Sequence, residues 1–228
     1  MKTIDVVLVT WPNHPKRIEY LLHTWDTLEE NLSASQHAIR FLCSSESEVD
    51  PTRPWCGDAL VEFCEKRHIP LSWHIGPASL GAGMNAALKC STADIIVLAQ
   101  DDYELLHPLD LSLAANLLEE HREVDLVRFS WPANLGCQFN GEIAGWKKFD
   151  VLRPWPYGDE PHARRKDFMD KHGWYTEGIG HAAEGDMLWR LVKANATILA
   201  SDKIYFGNFG EVSAVPIAKE TRKRTVSR

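Results

Sequence analysis

No CxxC pair occurs in this sequence, and its five cysteines (Cys43, Cys56, Cys64, Cys90 and Cys137) make an odd count. This argues against a disulfide framework and a thiolate zinc centre. Reduced thiols point to a cytoplasmic setting. Long apolar runs are missing as well. No stretch reaches the ~20 residues that a bilayer span needs. The opening MKTIDVVLVTWP is too short in apolar residues for a signal peptide and opens a strand instead. The ten histidines show no HxxxH or HExxH spacing, which removes the helical zinc motifs. There is no internal repeat and no low-complexity segment. Positive charge is scarce. The net charge is -7, so the body of the protein is not built to attract nucleic acid. Only the tail after Pro216 is basic, through Lys219, Arg222, Lys223, Arg224 and Arg228. It reads first as a solvated terminus and second as a weak anchor for an anionic partner.

The 228 residues, 44% of them apolar and 25% charged, describe a globular chain with enough length for one large domain or two small ones. Its organising stretch is Gly76 to Leu106. There the run Ile95-Ile96-Val97-Leu98 predicts a strand covered on both faces, and Asp101 and Asp102 follow at once. Asp5 to Thr10 is a β-branched first strand. A helix starts at Pro15, with Ile18, Leu21, Leu22, Trp25, Leu28 and Leu32 on one stripe. Further strands are expected at Ile39 to Cys43, at Leu71, Trp73 and Ile75, and from Val124 to Trp131. A helix through Leu60, Val61 and Cys64 and another from Leu109 to His121 lie between them. Strands alternating with helices predict an α/β fold with an open, mostly parallel, doubly wound sheet. Ligands of such sheets gather beyond the carboxyl ends of the strands.

After residue 131 the pattern changes. Residues 132–180 are rich in Trp, Tyr, Pro, Gly and Arg, which predicts loops and short strands laid over the sheet edge. Arg164-Arg165-Lys166 reads as a solvated face. A helix from Glu184 to Ala194 and a strand-like IYFG follow. The expected division is a ligand-binding half, 1–131, and a catalytic half with the basic tail, 132–228, within one continuous domain. Gly81-Ala82-Gly83-Met84-Asn85-Ala86 matches a dinucleotide fingerprint, GxGxxA, with acids about twenty residues on. Five residues separate Gly81 from Ile75, however, and the fingerprint needs its first glycine in the turn right after the strand. An NAD-binding oxidoreductase is therefore the less favoured reading.

Three places resemble the glycosyltransferases of the GT-A fold, family 2 above all. Asn85 precedes Asp102 by about seventeen residues, the length of a helix plus a strand, as in that family. Gln100-Asp101-Asp102 stands where those enzymes carry a DxD motif, and resembles the EDD form of some N-acetylglucosaminyltransferases. In AEGDMLWRL, residues 183–191, Glu184 falls on the family's catalytic base and Asp186 on the acidic position after it. The family's ED dipeptide is here Ala183-Glu184, and acids in a first helical turn also serve the helix dipole.

The resemblance implies a metal-dependent, inverting transferase. Asp102 would hold Mn²⁺ or Mg²⁺ against the diphosphate of a nucleotide-sugar, UDP- or GDP-linked, with His181 as a second metal candidate. Glu184 would take the proton of an acceptor hydroxyl. Thr10, Trp11 and Pro12 would line the base slot. Gly81 would allow close approach of the donor, and Asn85, Gln100, Asp101 and Asp186 would complete the donor site. A hydrogen-bonded structural role is the other reading of His181. The acceptor is open among a glycan, a small molecule, a protein side chain and a hydroxylated DNA base. The acidic body weighs against the last. A nucleotidyltransferase, or a domain that binds nucleotide-sugar without turning it over, is the alternative class.

Overall fold

The computed structural model describes residues 2–46, 55–74, 79–131, 136–153, 156–179 and 182–210. In chain order the first half holds β1 (Thr3–Thr10), α1 (Pro15–Asn31), β2 (Leu32–Ser33), β3 (Ala38–Glu46), α2 (Gly57–Lys66) and β4 (Leu71–His74). It continues with α3 (Leu80–Cys90), β5 (Ile95–Gln100), β6 (Tyr103–Leu105), β7 (Leu109–Asp110), α4 (Leu111–Glu120) and β8 (Leu126–Arg128). The second half adds β9 (Phe139–Ile143), β10 (Trp146–Phe149), β11 (His162–Arg165), α5 (Phe168–His172), α6 (Ala182–Lys193), β12 (Ile198–Ala200) and β13 (Phe206–Asn208).

Nine strands form one sheet in the order β4-β3-β1-β5-β11-β8-β12-β10-β9. The neighbours of β1 on both sides are parallel to it, with Val6 opposite Phe41 on β3 and Val97 on β5. Chain order reverses at β1, so the crevice at its carboxyl end is the topological switch point of the sheet. Alternate residues of β1 feed two cores. Ile4, Val6 and Leu8 pack with Leu21, Trp25 and Leu28 of α1, while Val7 packs with Met84 and Leu88 of α3 and Met187 of α6. The result is a helix–sheet–helix sandwich.

Helix α1 begins where its sequence says. Pro15 needs no amide partner in the first turn, and the His14 ring accepts from the Lys16 N–H at 3.1 Å. Its stripe is narrower than the sequence predicts. Leu22 is exposed and Leu32 has left the helix for β2. Helix α3 is capped by Ser79, whose Oγ accepts from Ala82 N at 3.1 Å. Gly81 and Gly83 lie inside this helix, not in a strand-to-helix turn. That geometry overturns the dinucleotide fingerprint.

The largest departure from the sequence reading is β11. The segment expected over the sheet edge lies in its middle, antiparallel to both β5 and β8. Arg164 and Arg165 are buried rather than solvated. Arg165 donates to the carbonyls of Leu118, Val124 and Arg122 at 3.0, 2.8 and 3.2 Å. Leu118 is in the last turn of α4, whose carbonyls lack helical partners. Arg164 lies over the rings of Phe168 and Tyr175, at 4.8 and 5.7 Å. Strands from the two halves of the chain thus alternate in one sheet. Among the described residues no helix is long and apolar enough to cross a membrane.

Candidate active site

The carboxyl ends of β1 and β5 bring Thr10, Gln100, Asp101 and Asp102 together. Asp101 is fully buried. Its backbone N–H meets Val9 O at 3.2 Å, and its own carbonyl accepts from Thr24 Oγ1 at 2.9 Å. The Thr10 hydroxyl donates to Asp101 Oδ2 at 2.5 Å and so braces the aspartate. Arg17, from the first turn of α1, ion-pairs with Asp101 Oδ1 and lies 3.4 Å from Asp102 Oδ2. Burial pushes the Asp101 carboxyl up to about 7. Arg17 and Thr10 pull it down, and the adjacent Asp102 adds to the rise.

Asp102 is nearly buried, and among the described residues its Oδ1 has no hydrogen-bond partner. Gly210, beyond β13, packs directly on this carboxylate. A Cβ there would fall 2.7 Å from Asp102 Oδ2. Phe209 N–H donates to Asp102 O at 3.1 Å, and the Phe209 ring lies edge-on to Tyr20 and His23 of α1. A buried carboxylate oxygen without a donor suits a hard cation. Among the described residues no three His, Cys, Asp or Glu side chains converge as a metal cage. A cation on Asp102 would therefore draw its other ligands from phosphate and water, a pattern normal for Mg²⁺. His181 lies outside the described residues.

The second half of the chain supplies the opposite wall. Glu184, in the first turn of α6, accepts from the backbone N–H of Asp159 at 3.0 Å. Burial pushes the Tyr103 hydroxyl well above the usual phenol range, and the charges of Glu160, Asp102 and Glu184 add to that rise, while Asn208 bonds to it. Glu160 also receives Arg128 Nη2 at 2.7 Å.

Asp159 is the buried hub of this wall. Its Oδ1 accepts from Tyr157 and Tyr175 hydroxyls at 3.0 and 3.2 Å, and among the described residues its Oδ2 has no hydrogen-bond partner. Burial, then the charge of Glu184, raises its carboxyl to about 7, against the two tyrosine hydrogen bonds and Arg164. The adjacent His162 is neutral at physiological pH, since burial and Arg164 bring it down to about 3.

Several residues singled out in the sequence converge here through that hub. Gln100 Nε2 donates to Asp159 O at 3.1 Å. Asn85 clasps Tyr175 from both sides, donating to its carbonyl at 2.9 Å and accepting from its N–H at 3.0 Å, and also reaches Glu177. Asp186 accepts from Thr176 Oγ1 at 2.7 Å and Arg190 at 2.9 Å. Both residues pin the 174–179 loop against α3 and α6. Gly81 serves the same contact. A Cβ there would meet the Thr176 carbonyl oxygen at 2.3 Å, so its missing side chain admits backbone of this protein. Trp11 is half-buried, and Pro12 is buried with its carbonyl bound to Cys56 N at 2.9 Å. Near the carboxyl ends of β3 and β4, Trp55 and Trp73 add a tilted ring pair 5.8 Å apart.

The sequence reading missed Arg17, Tyr103, Asp159, Glu160 and Tyr175. Two signals were present. Lys16 and Arg17 place positive charge in a helical first turn, against the dipole, and Asp159-Glu160 stands directly before Pro161 and a buried strand.

This sheet order and helix layering are those of the GT-A fold of nucleotide-diphospho-sugar transferases. Among solved structures the chain is similar to TarS of S. aureus, in its 1–349 form in complex with UDP, at 18% identity and TM-score 0.59 over 90% of this chain and 60% of that one. The same form in complex with UDP-GlcNAc gives 16%, 0.58, 90% and 58%. The chain therefore spans less than two thirds of TarS 1–349. It is also similar to CMP:2-keto-3-deoxy-manno-octonic acid synthetase complexed with CTP, at 12% identity and TM-score 0.59, covering 100% of this chain and 99% of that one. No family model and no curated protein matches the sequence. At such identities the likeness establishes the fold.

Proposed function

We propose that this protein is a metal-dependent, inverting glycosyltransferase that moves a sugar from a UDP- or GDP-linked donor to an acceptor hydroxyl. The observation that carries this reading is the link from Glu184 to the end of β5: the Asp159 N–H donates to Glu184 at 3.0 Å, and Gln100, two residues before Asp102, donates to the Asp159 carbonyl at 3.1 Å, beside the switch point of the sheet. The fold shared with TarS, crystallised with UDP and UDP-GlcNAc, supports the donor class.

Asp102 Oδ1 would hold the cation, and Mn²⁺ or Mg²⁺ there would stabilise charge on the departing diphosphate. Glu184 takes the acceptor proton as the new bond forms. Its carboxylate is aimed by the Asp159 N–H, and Asp159 is itself fixed by Tyr157, Tyr175 and Gln100. Trp55 and Trp73 offer a stacking surface for the base. The acceptor is a hydroxyl on a glycan, a small molecule, a protein side chain or a DNA base.

One observation favours a second reading, nucleotidyl transfer. The synthetase crystallised with CTP matches this chain over nearly the full length of both. Donor hydrolysis and thermal shift separate the two. In the glycosyltransferase, Glu184→Gln lowers turnover of a UDP- or GDP-sugar by roughly 10²–10⁴-fold and keeps the donor-induced rise in melting temperature. A Glu184→Gln variant as active as the parent removes that residue from the mechanism, and stabilisation by CTP alone supports nucleotidyl transfer.

A further inference from the structure

Arg17 has no part in the reaction as described, yet it touches both aspartates. It stands in the first turn of α1, where the helix dipole disfavours a cation. The pair with Asp101 is close, while the contact with Asp102 Oδ2 is long, at 3.4 Å. Among the described residues its Nε has no hydrogen-bond partner, and the side chain keeps 14% of its surface open. Arg128, at the end of β8, is committed to Glu160 at 2.7 Å. Asp101, Asp102, Asp159, Glu160 and Glu184 gather at this end of the sheet, so a diphosphate approaching it meets strong repulsion unless cations face it. A guanidinium fork matches phosphate oxygens as well as it matches carboxylates.

We propose that Arg17 is an exchange partner: in the free protein it neutralises the aspartate pair, and when a nucleotide diphosphate enters it leaves Asp102 for the phosphates and frees that carboxylate for a divalent cation. The proposal rests on the donor reading above. Two consequences follow by linkage. Without nucleotide, Arg17 and the cation compete for Asp102. With nucleotide, each favours the other.

The experiment measures Mn²⁺ binding by electron paramagnetic resonance and UDP and GDP binding by calorimetry, on the full chain. Arg17→Met should bind Mn²⁺ alone more tightly than wild type. It should bind UDP about tenfold or more weakly, the effect of losing a charge-assisted contact. Arg17→Lys, with charge but no fork, should fall between. Asp101→Asn, which loosens the stronger anchor and leaves Arg17 in place, should tighten UDP binding in the absence of metal. Unchanged Mn²⁺ affinity in Arg17→Met, or UDP affinity equal to wild type, overturns the exchange. Should Arg17→Met not fold, Asp101→Asn decides: tighter metal-free UDP binding supports the exchange and unchanged binding overturns it. A wild-type protein that binds neither UDP, GDP nor Mn²⁺ refutes the donor reading itself.

Discussion

The two ends of the sheet treat buried aspartates in opposite ways. At the amino ends, every oxygen is met. Asp5, on β1, receives two bonds from Arg40, at 2.8 and 2.7 Å, one from Ser91 at 2.7 Å, and the N–H groups of Thr92 and Ala93 at 3.0 and 3.1 Å. Asp125, just before β8, receives Lys171 at 2.6 Å, His172 at 2.8 Å and Thr197 N–H at 2.8 Å. Burial opposes the charge of both, but these donors outweigh it. Asp5 is held below the usual carboxylate range and Asp125 is brought down to about 2. At the carboxyl ends the balance is reversed. Asp101 and Asp159 are raised to about 7, chiefly by burial, and Asp102 and Asp159 each keep an oxygen that no donor among the described residues meets. Carboxylates of the first kind hold the fold together. Those of the second kind are underserved by their own protein, which is the mark of groups kept for a ligand.

Variants at the two ends should therefore differ in kind. The largest effect on stability belongs to the amino end. Asp5→Asn leaves buried donors facing an amide and should destabilise the protein by about 1–3 kcal/mol, read as a lower urea midpoint with an unchanged slope. A smaller, pH-dependent effect belongs to Asp159. Its folded value, about 7, lies above the ordinary 3.8, so between these the folded protein keeps a proton that the unfolded chain has lost. Its contribution to stability is then fully present below the lower value and fades as pH rises through the higher one. Asp159→Asn should flatten the fall in stability from pH 5 to pH 8, in thermal unfolding at a series of pH values. Asp125 works in the other sense: what it contributes is present above pH 3.8 and lost as pH drops toward 2. A parent protein whose stability climbs from pH 5 to pH 8, with Asp159→Asn alike, would break the contrast.

How much of this was legible in the sequence follows from where side chains point. Strands β1 and β5 were readable, because β-branched and aliphatic runs have few alternatives to a doubly covered strand. Helix α1 was readable from Pro15, though Leu22 looked like part of the stripe and lies outside it. Strand β11 was not readable. His162-Ala163-Arg164-Arg165 has the composition of a surface loop, and the partners that make its burial tolerable, the Leu118 and Val124 carbonyls and the Phe168 and Tyr175 rings, lie outside it. At the site, Asp102 and Glu184 are legible from their motif positions; in the structure Asp102 lies at the carboxyl end of β5 and Glu184 accepts from the Asp159 N–H. Asn85 and Gly81 were named as well, but their observed work is to clasp and admit the 174–179 loop. Arg17 is hard to read from sequence, because a basic residue in a surface helix is ordinary until the aspartates it faces are seen.

The most direct test of the contrast between the two ends is the melting temperature of the protein with UDP, with and without Mn²⁺, in wild type and in Asp102→Asn. Wild type should be stabilised by UDP and Mn²⁺ together more than by either alone, and Asp102→Asn should lose that joint effect while melting near the wild-type temperature when free of ligand. An Asp102→Asn protein that gains as much from UDP and Mn²⁺ as wild type would contradict the assignment of the unmet carboxylate to a ligand.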